Sequence, residues 1–241
     1  MVKMPTLREL LDAGVHFGHK TSRWHPKMKP YIFMAKNGVH VINLEDTEKE
    51  LEKAVNFLKQ AASEGKTIVF VGTKKQASQI VKKAALACGM PYVDNRWVGG
   101  LITNFNTVKA AIANYKKEKE ELETNQDKLS KKELARLRGK VEKSEKIFGG
   151  LTNLNKKPDV LILIGAHDEE NAIKEARIEK IKTVGLVDTN TDPEAVDFPV
   201  PANDDATKSL VLFSELFSKV ILENKKVIKP NESKEENENK R

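Results

Sequence analysis

The chain has 241 residues, and its 42 lysines and arginines outweigh 35 aspartates and glutamates, so its formal net charge is +7. This length can hold one large domain, or one domain with an appendage, and the basic balance makes a polyanion the expected partner. The single cysteine, Cys88, excludes a disulfide framework and a cysteine-based zinc site. No run approaches the about 18 apolar residues of a membrane span, and no signal-peptide core is recognisable. We therefore expect a cytoplasmic protein without a membrane partner.

The first forty residues contain a basic segment with four of the five histidines. Between His16 and His40 there is no acidic residue, and the basic residues are Lys20, Arg23, Lys27, Lys29 and Lys36. Residues 66–109 are also basic, whereas residues 156–222 contain eight basic and 13 acidic residues. This division indicates one face for a nucleic acid and another for a different partner.

Local signals predict the elements of the N-terminal part. Thr6 can cap a short helix from Leu7 to Ala13. Prolines keep residues 20–30 irregular. Asn37-Gly38 lies between two apolar runs and predicts a hairpin turn, because both residues tolerate positive φ. A capping box of Thr47 and Glu50 predicts the start of the next helix.

Strand and helix patterns then alternate through most of the chain. Continuous apolar runs, typical of strands buried on both faces, occur at residues 67–71, 91–93, 158–164, 183–187 and 196–200. Helical patterns lie between these runs, and Asp205 can cap the last helix. The alternation predicts an α/β fold, a doubly wound parallel sheet, with Pro199 placing the last strand at an edge.

A different apolar period interrupts this pattern between residues 104 and 148. Heptad spacing connects Phe105, Val108, Ile112 and Tyr115, and a second heptad series follows a capping box of Ser130 and Glu133. We predict an inserted antiparallel coiled-coil helical hairpin. The resulting organisation is an α/β body of residues 1–103 and 149–223, a hairpin of residues 104–148, and a disordered charged tail of residues 224–241.

Acidic side chains follow the predicted strands at the edge where ligands of doubly wound sheets bind. Asp188, Asp204 and Asp205, with His16 and His19 in a His-x-x-His pair, are candidate ligands for zinc or magnesium. In the other interpretation the aspartates are turn and cap residues that bind nearby amides. Nucleotide-binding motifs and a nucleophile elbow are absent from the sequence, so no catalytic residue is assigned. A metal-dependent hydrolase or nucleotide-binding enzyme that uses these aspartates stays an alternative.

The RNA-binding interpretation uses more of the sequence. Lysine and arginine in irregular loops can follow the phosphates of a folded RNA. Trp24 and Trp97 can stack on unpaired bases or anchor their own loops. The candidate RNA contacts are Lys20, Arg23, Trp24, Lys27, Lys29, Lys36, Lys74, Lys75, Arg96 and Trp97.

Several long motifs occur in one order along the chain. They are Leu10-Leu-Asp-Ala-Gly-Val-His-Phe-Gly-His19, Trp24-His-Pro-Lys-Met28, Val71-Gly-Thr-Lys-Lys-Gln76, Asn95-Arg-Trp-Val-Gly-Gly100, and Leu186-Val-Asp-Thr-Asn190 followed by Asn203-Asp-Asp205. Together they resemble the bacterial small-subunit ribosomal protein S-two family, from about Leu7 to Leu222.

The resemblance implies a flavodoxin-like body with a protruding coiled-coil hairpin. It implies a structural, non-catalytic protein of the cytoplasmic ribosome that binds small-subunit rRNA and neighbouring small-subunit proteins, and does not form a homo-oligomer. It also implies a role in recruiting ribosomal protein S-one. No cofactor is required, although zinc in some members would fit Asp188, Asp204 and Asp205.

Overall fold

A computed structural model describes residues 2–124 and 130–225. Within these ranges the helices are α1 (Leu7–Asp12), α2 (Leu44–Ser63), α3 (Lys75–Cys88), α4 (Phe105–Thr124), α5 (Lys131–Phe148), α6 (Glu170–Ile178) and α7 (Thr207–Asn224). The strands are β1 (Phe17–Lys20), β2 (Ile32–Lys36), β3 (Val39–Ile42), β4 (Ile68–Val71), β5 (Tyr92–Val93), β6 (Val160–Leu163), β7 (Lys182–Val187) and β8 (Phe198–Pro201). The predicted disordered tail lies outside the described residues, except for residues 224 and 225. None of the described helices is long and apolar enough to cross a membrane.

The body contains a five-stranded sheet in the order β5-β4-β6-β7-β8. All of its neighbouring strands are parallel, which confirms the predicted sheet. Every residue of β4 and β6 is buried, which explains why these strands read as continuous apolar runs. The order is that of a flavodoxin-like fold, and its topological switch point lies between β4 and β6. β8, with Pro199, occupies an edge as predicted.

Apolar layers cover both faces of this sheet. Phe70 of β4 packs in one layer with Phe213 and Phe217 of α7. Val69 and Val71, which point to the opposite face, belong to a second layer with the residues that lead into the hairpin. Each buried phenylalanine contributes about 1.5–3 kcal/mol relative to an exposed one. The body is therefore held by its own hydrophobic core.

The N-terminal segment forms a second, antiparallel sheet in the order β1-β3-β2. Asn37 and Gly38 connect β2 and β3 with φ values of 52° and 75°, so the predicted hairpin turn is confirmed. Thr21–Arg23 and Pro26–Tyr31 form short 3₁₀ segments inside the stretch that was predicted to be irregular. β1 was not predicted, because its four residues show no apolar alternation.

The predicted start of α2 is wrong by four residues, because the N-cap is Asn43 and not Thr47. The helix begins at Leu44, and the side chain of Asn43 accepts a hydrogen bond from the Glu45 amide. Thr47 lies within the helix, where its buried hydroxyl donates to the Pro201 carbonyl at 2.7 Å. This contact joins α2 to the sheet edge, and a local capping motif gives no sign of it.

The hairpin consists of α4 and α5, which are confirmed as helices. The apolar side chains near its root, Val108, Ile112 and Tyr115 of α4 and Val141 of α5, are buried. Ion pairs connect Lys119 to Glu145 at 3.2 Å and Lys140 to Glu118 at 2.6 Å. The capping box of Ser130 and Glu133 is confirmed. Coiled-coil packing of the two helices stays a prediction.

Candidate functional site

Charged side chains from distant parts of the chain meet at the carboxyl ends of β4, β7 and β8. We call His19, Lys74, Asp188, Asp204 and Asp205 the carboxylate cluster. The His19 Nδ1 atom lies 3.0 Å from Asp188 Oδ1, and its Nε2 atom lies 3.3 Å from Asp205 Oδ2. The Lys74 Nζ atom lies 2.7 Å from Asp204 Oδ1 and 3.1 Å from Asp205 Oδ1. Asp188 and Asp204 are buried.

Burial and mutual charge shift the pKa values in the carboxylate cluster. Burial, with the nearby Asp188 carboxylate, raises the pKa of Asp204 to about 6, although Lys74 opposes the shift. Burial works to lower the pKa of Lys74, but Asp204 and Asp205 outweigh it and the net pKa is raised. The Asp188 carboxylate likewise raises the pKa of His19 against the effect of burial. Lys74 therefore keeps its positive charge and stabilises the acids around it.

His19, Asp204 and Asp205 fit a divalent cation. Each offers a ligand atom within 4.8 Å of the others. The Asp204 Oδ2 atom is buried and has no hydrogen-bond partner in the part of the chain that the structure describes. Zinc accepts both imidazole nitrogen and carboxylate oxygen as ligands, whereas magnesium prefers oxygen ligands alone.

The structure does not bring His16 into this group, so the predicted His-x-x-His pair is corrected. His16 immediately precedes β1, and residues three apart along an extended chain point to opposite faces. The His16 ring instead contacts the Phe17 ring at a centroid distance of 4.0 Å.

Some of the polar side chains also have the turn roles that the other interpretation assigned. The Asp188 carboxylate accepts hydrogen bonds from the Thr189 and Asp204 amides. The predicted Asp205 cap is wrong, because the N-cap residue of α7 is Ala206, which makes no side-chain cap bond. The Asn203 Oδ1 atom forms the turn before the helix by accepting from the Asp205 and Ala206 amides at 2.9 and 3.0 Å. These turn hydrogen bonds, in the loops after β7 and β8, therefore lie beside the candidate cation ligands.

The basic segment is attached to the body beside the carboxylate cluster. The His19 amide donates to Thr189 Oγ1 at 2.8 Å, and the His25 amide donates to the Thr189 carbonyl at 2.7 Å. Gly18 permits this approach, because a Cβ atom there would lie 2.6 Å from Thr189 Cγ2. Thr189 thus fixes the segment through two backbone amides.

Most of the predicted basic contacts are available to a ligand. Six of them are exposed and make no hydrogen bond or ion pair through their side chains within residues 2–124 and 130–225. We call these six the free basic residues: Lys20, Arg23, Lys29, Lys36, Lys75 and Arg96. Lys27 differs, because its ammonium pairs with Asp192 at 3.1 Å and also with Glu194. Lys74 is corrected, because its ammonium is committed to the acids of the carboxylate cluster.

The two tryptophans differ in exposure. Trp24 is 37% exposed, and its ring lies against the His40 ring at 5.3 Å. Trp97 is only 7% exposed, and its Nε1 donates to Glu175 at 2.9 Å. Base stacking by Trp97 is therefore corrected to the anchoring role, whereas Trp24 stays a candidate.

Two features were missed by sequence reasoning. Glu175 binds the loop around Trp97, yet in the sequence it resembles any helix glutamate. A groove of about 440 Å³ lies beside the exposed side chains of Leu7, Leu11 and Phe33, which are 42%, 50% and 70% exposed. The apolar residues Leu7 and Leu11 on one side of α1 are the signal in the sequence that could have indicated the groove.

Polar groups at the switch point of the sheet are paired with the protein's own side chains. The Thr73 amide, where an open fold of this kind would bind a phosphate, donates to buried Glu169 at 2.7 Å. Lys74 pairs across the switch point with Asp168 at 3.2 Å. The fold and site therefore define a class: a doubly wound α/β protein whose switch-point amide is already bonded and which, within residues 2–124 and 130–225, exposes six basic side chains without an ion pair.

Comparison with known proteins identifies the family within this class. The family described as Ribosomal protein S2 matches residues 10–224. Proteins named small ribosomal subunit protein uS2 are similar along most of their length. The relative from Petrotoga mobilis is 47% identical over 91% of this chain and 77% of its own. The relative from Dictyoglomus thermophilum is 48% identical over 91% of this chain and 89% of its own. The relative from Nitratiruptor is 46% identical over 93% of this chain and 84% of its own.

The chain belongs to the ribosomal protein S2 family, which confirms the resemblance seen in the motifs. It is a ribosomal protein of the small subunit, and its place is the cytoplasmic ribosome. Its relatives are ribosomal proteins and not enzymes, so the hydrolase and nucleotide-binding alternative has no support.

Proposed function

We propose that this protein binds small-subunit rRNA through the free basic residues and, in doing so, serves as a structural constituent of the subunit. The observation that carries the proposal is their exposure without an internal ion pair. A phosphate that contacts such a residue displaces no protein partner. At Lys27, in contrast, it would compete with Asp192 and Glu194.

Salt dependence gives the proposal a quantitative test. Each phosphate contact steepens the dependence of log K on log salt by about 0.9 for duplex and about 0.7 for single strands. A variant with alanine at four free basic residues should have a slope shallower by about 3 to 4. The substituted residues are Lys20, Arg23, Lys29 and Arg96. The affinity for small-subunit rRNA at 0.15 M salt should fall by up to about a thousandfold.

A matched control variant also loses four positive charges, but from exposed lysines that already pair with acidic residues. These are Lys49, Lys53, Lys156 and Lys174. The control should keep nearly all of the affinity and the original salt slope. Equal losses in both variants would indicate net charge alone and overturn the assignment of the contacts. Unchanged binding in the first variant would overturn the proposal itself.

We further propose that ribosomal protein S-one and neighbouring small-subunit proteins dock on this protein. We propose that it acts as a single copy and that its two hairpin helices pack as a coiled coil. The exposed apolar groove beside Phe33 supports a protein contact, because exposed apolar patches mark interaction sites. Phe33→Ser should reduce capture of purified S-one several-fold. Ile178→Ser is the control, because Ile178 is also 70% exposed. Retention of S-one by the Phe33 variant would exclude the groove.

We propose finally that His19, Asp204 and Asp205 hold one divalent cation, with zinc favoured over magnesium. Lys74 occupies the Oδ1 side of both aspartates and leaves their Oδ2 atoms for the ion. The ion would link β1, through His19, to the loop after β8, through Asp204 and Asp205, and its positive charge would offset these carboxylates. Elemental analysis of purified protein should show the metal, and Asp204→Asn should remove it. A metal content that is unchanged in this variant would refute the assignment.

A further inference from the structure

Glu175 organises the loop between β5 and α4. This carboxylate accepts five hydrogen bonds from the loop, whose donors are Trp97 Nε1 at 2.9 Å, the amides of Gly100, Ile102 and Thr103 at 2.8, 3.0 and 3.1 Å, and the Thr103 hydroxyl at 3.1 Å. Burial works to raise the pKa of Glu175, but the bonds from Trp97 and the amides outweigh it and lower the pKa. The carboxylate is therefore a fixed negative charge near neutral pH.

The loop is held both by the core, where Leu101 and Ile102 are buried, and by the Glu175 carboxylate, which collects three of its backbone amides. Successive amides that point at one anion form a concave site of the kind that binds phosphates and carboxylates. Gly100 makes the required turn with a φ of +84°. The amides of Gly100 and Ile102 are partly buried, so loss of their carboxylate acceptor is expected to loosen this turn of the loop.

This shape fixes the base of an exposed arginine. Arg96 directly precedes Trp97, and it is one of the free basic residues. The same loop continues into the hairpin, because the Asn104 amide donates to the Gly100 carbonyl at 2.8 Å and α4 begins at Phe105. One loop, bonded to Glu175, therefore connects Arg96 to the hairpin root.

We propose that Glu175 is a positioning residue that shapes the loop of residues 97–103 and thereby presents Arg96 to an RNA phosphate. The inference rests on the proposed rRNA-binding function. Glu175 itself does not contact the RNA, because its carboxylate faces the loop amides. Glu175 of α6 thus determines how Arg96 meets the RNA, although α6 itself does not contact the RNA.

The test combines Glu175→Gln with Arg96→Ala in the full-length protein. Glutamine keeps the size of the side chain, but its NH2 group replaces one of the two oxygen acceptors. The loop amides and hydroxyl that bonded to that oxygen then face another donor. Glu170→Gln is the control, because Glu170 lies on the same helix and pairs with Lys174 of that helix at 2.8 Å. Affinity for small-subunit rRNA is measured across a salt series, and circular dichroism checks the fold.

We expect Glu175→Gln to weaken binding about fivefold at 0.15 M salt and to make the salt slope shallower by about 0.9, as loss of one phosphate contact requires. Arg96→Ala should have the same effect, and the double variant should be no weaker than either single variant. Glu170→Gln should leave both quantities unchanged. Amides of the loop should exchange hydrogen faster in Glu175→Gln than in the control.

The other possible results distinguish a failure of the Arg96 contact from a failure of the positioning role of Glu175. If Arg96→Ala leaves binding unchanged, the Arg96 contact fails, and this inference fails with it. If Arg96→Ala weakens binding but Glu175→Gln does not, the inference alone is overturned. Additive losses in the double variant also overturn it, because Glu175 would then act independently of Arg96. If Glu175→Gln does not fold, Trp97→Phe with Thr103→Val removes donors from the loop side, and the same criteria apply.

Discussion

Removal of the Lys74 ammonium is the sharpest test of the carboxylate cluster. In Lys74→Met the long side chain keeps its packing, but Asp204 loses the cation 2.7 Å from its Oδ1 atom. The Asp204 side chain is fully buried and that of Lys74 is 15% exposed, so water screens this pair weakly. Breaking a buried pair costs about 3–5 kcal/mol, because one charge is left uncompensated. For a chain of this size the melting temperature should fall by roughly 6–20 °C.

The pH dependence of this loss follows from Asp204. Its folded pKa of about 6 is above the ordinary value, so the folded state binds a proton more tightly than the unfolded chain. The contribution of Asp204 to stability therefore falls as pH rises from about 4 to about 6. Without Lys74 the charged carboxylate is even less favourable. The penalty of Lys74→Met should then be smaller at pH 5 than at pH 8.

Urea denaturation of the metal-depleted protein at these two pH values measures the effect. Asp204→Asn is made alone and together with Lys74→Met. Because the asparagine removes the uncompensated charge, the double variant should be more stable than Lys74→Met at pH 8. A loss below about 1 kcal/mol in Lys74→Met, or a penalty independent of pH, would refute the reasoning about the buried pair.

Three further outcomes follow from the packing. Gly150→Ala should lower the free energy of unfolding in urea by about 1–3 kcal/mol, because its Cβ atom would lie 2.3 Å from the Tyr92 carbonyl oxygen. The control Gly139→Ala, where the added Cβ atom on α5 meets open space, should not lower it. Thr47→Val should cost about 1–3 kcal/mol by leaving the Pro201 carbonyl unpaired, and an unchanged midpoint would contradict the contact. A chelator should leave the circular dichroism of the body intact, because buried strands supply its core; unfolding would refute this.

The elements that sequence predicts well are those with local or periodic causes. β4 and β6 are buried on both faces, so they appear in the sequence as short apolar runs rich in β-branched residues, which favour strands. Asn37-Gly38 carries its turn geometry in two residues. The hairpin helices are visible in their apolar spacing. In each case the physical reason lies within a few positions of the chain.

The parts that failed depend on partners far along the chain. Lys74 appeared to be a free phosphate ligand, but its acceptor Asp204 is 130 residues away. Glu175 reaches a loop more than 70 positions earlier, and nothing in its own helix distinguishes it from Glu170. The face that His19 and His16 present depends on β1, which exists only because β3 pairs with it. Local patterns contain no trace of such pairings.

The attachment of the basic segment has a consequence for synthesis. Thr189, whose hydroxyl and carbonyl hold this segment, follows His19 by 170 residues. At about 5–20 residues per second, the ribosome makes the basic segment roughly 10–30 s before its anchor exists. The basic segment of the nascent chain therefore lacks these two backbone hydrogen bonds until Thr189 has been added. Competence for shape-specific RNA contact is consequently acquired late in translation, when nearly the whole body has emerged.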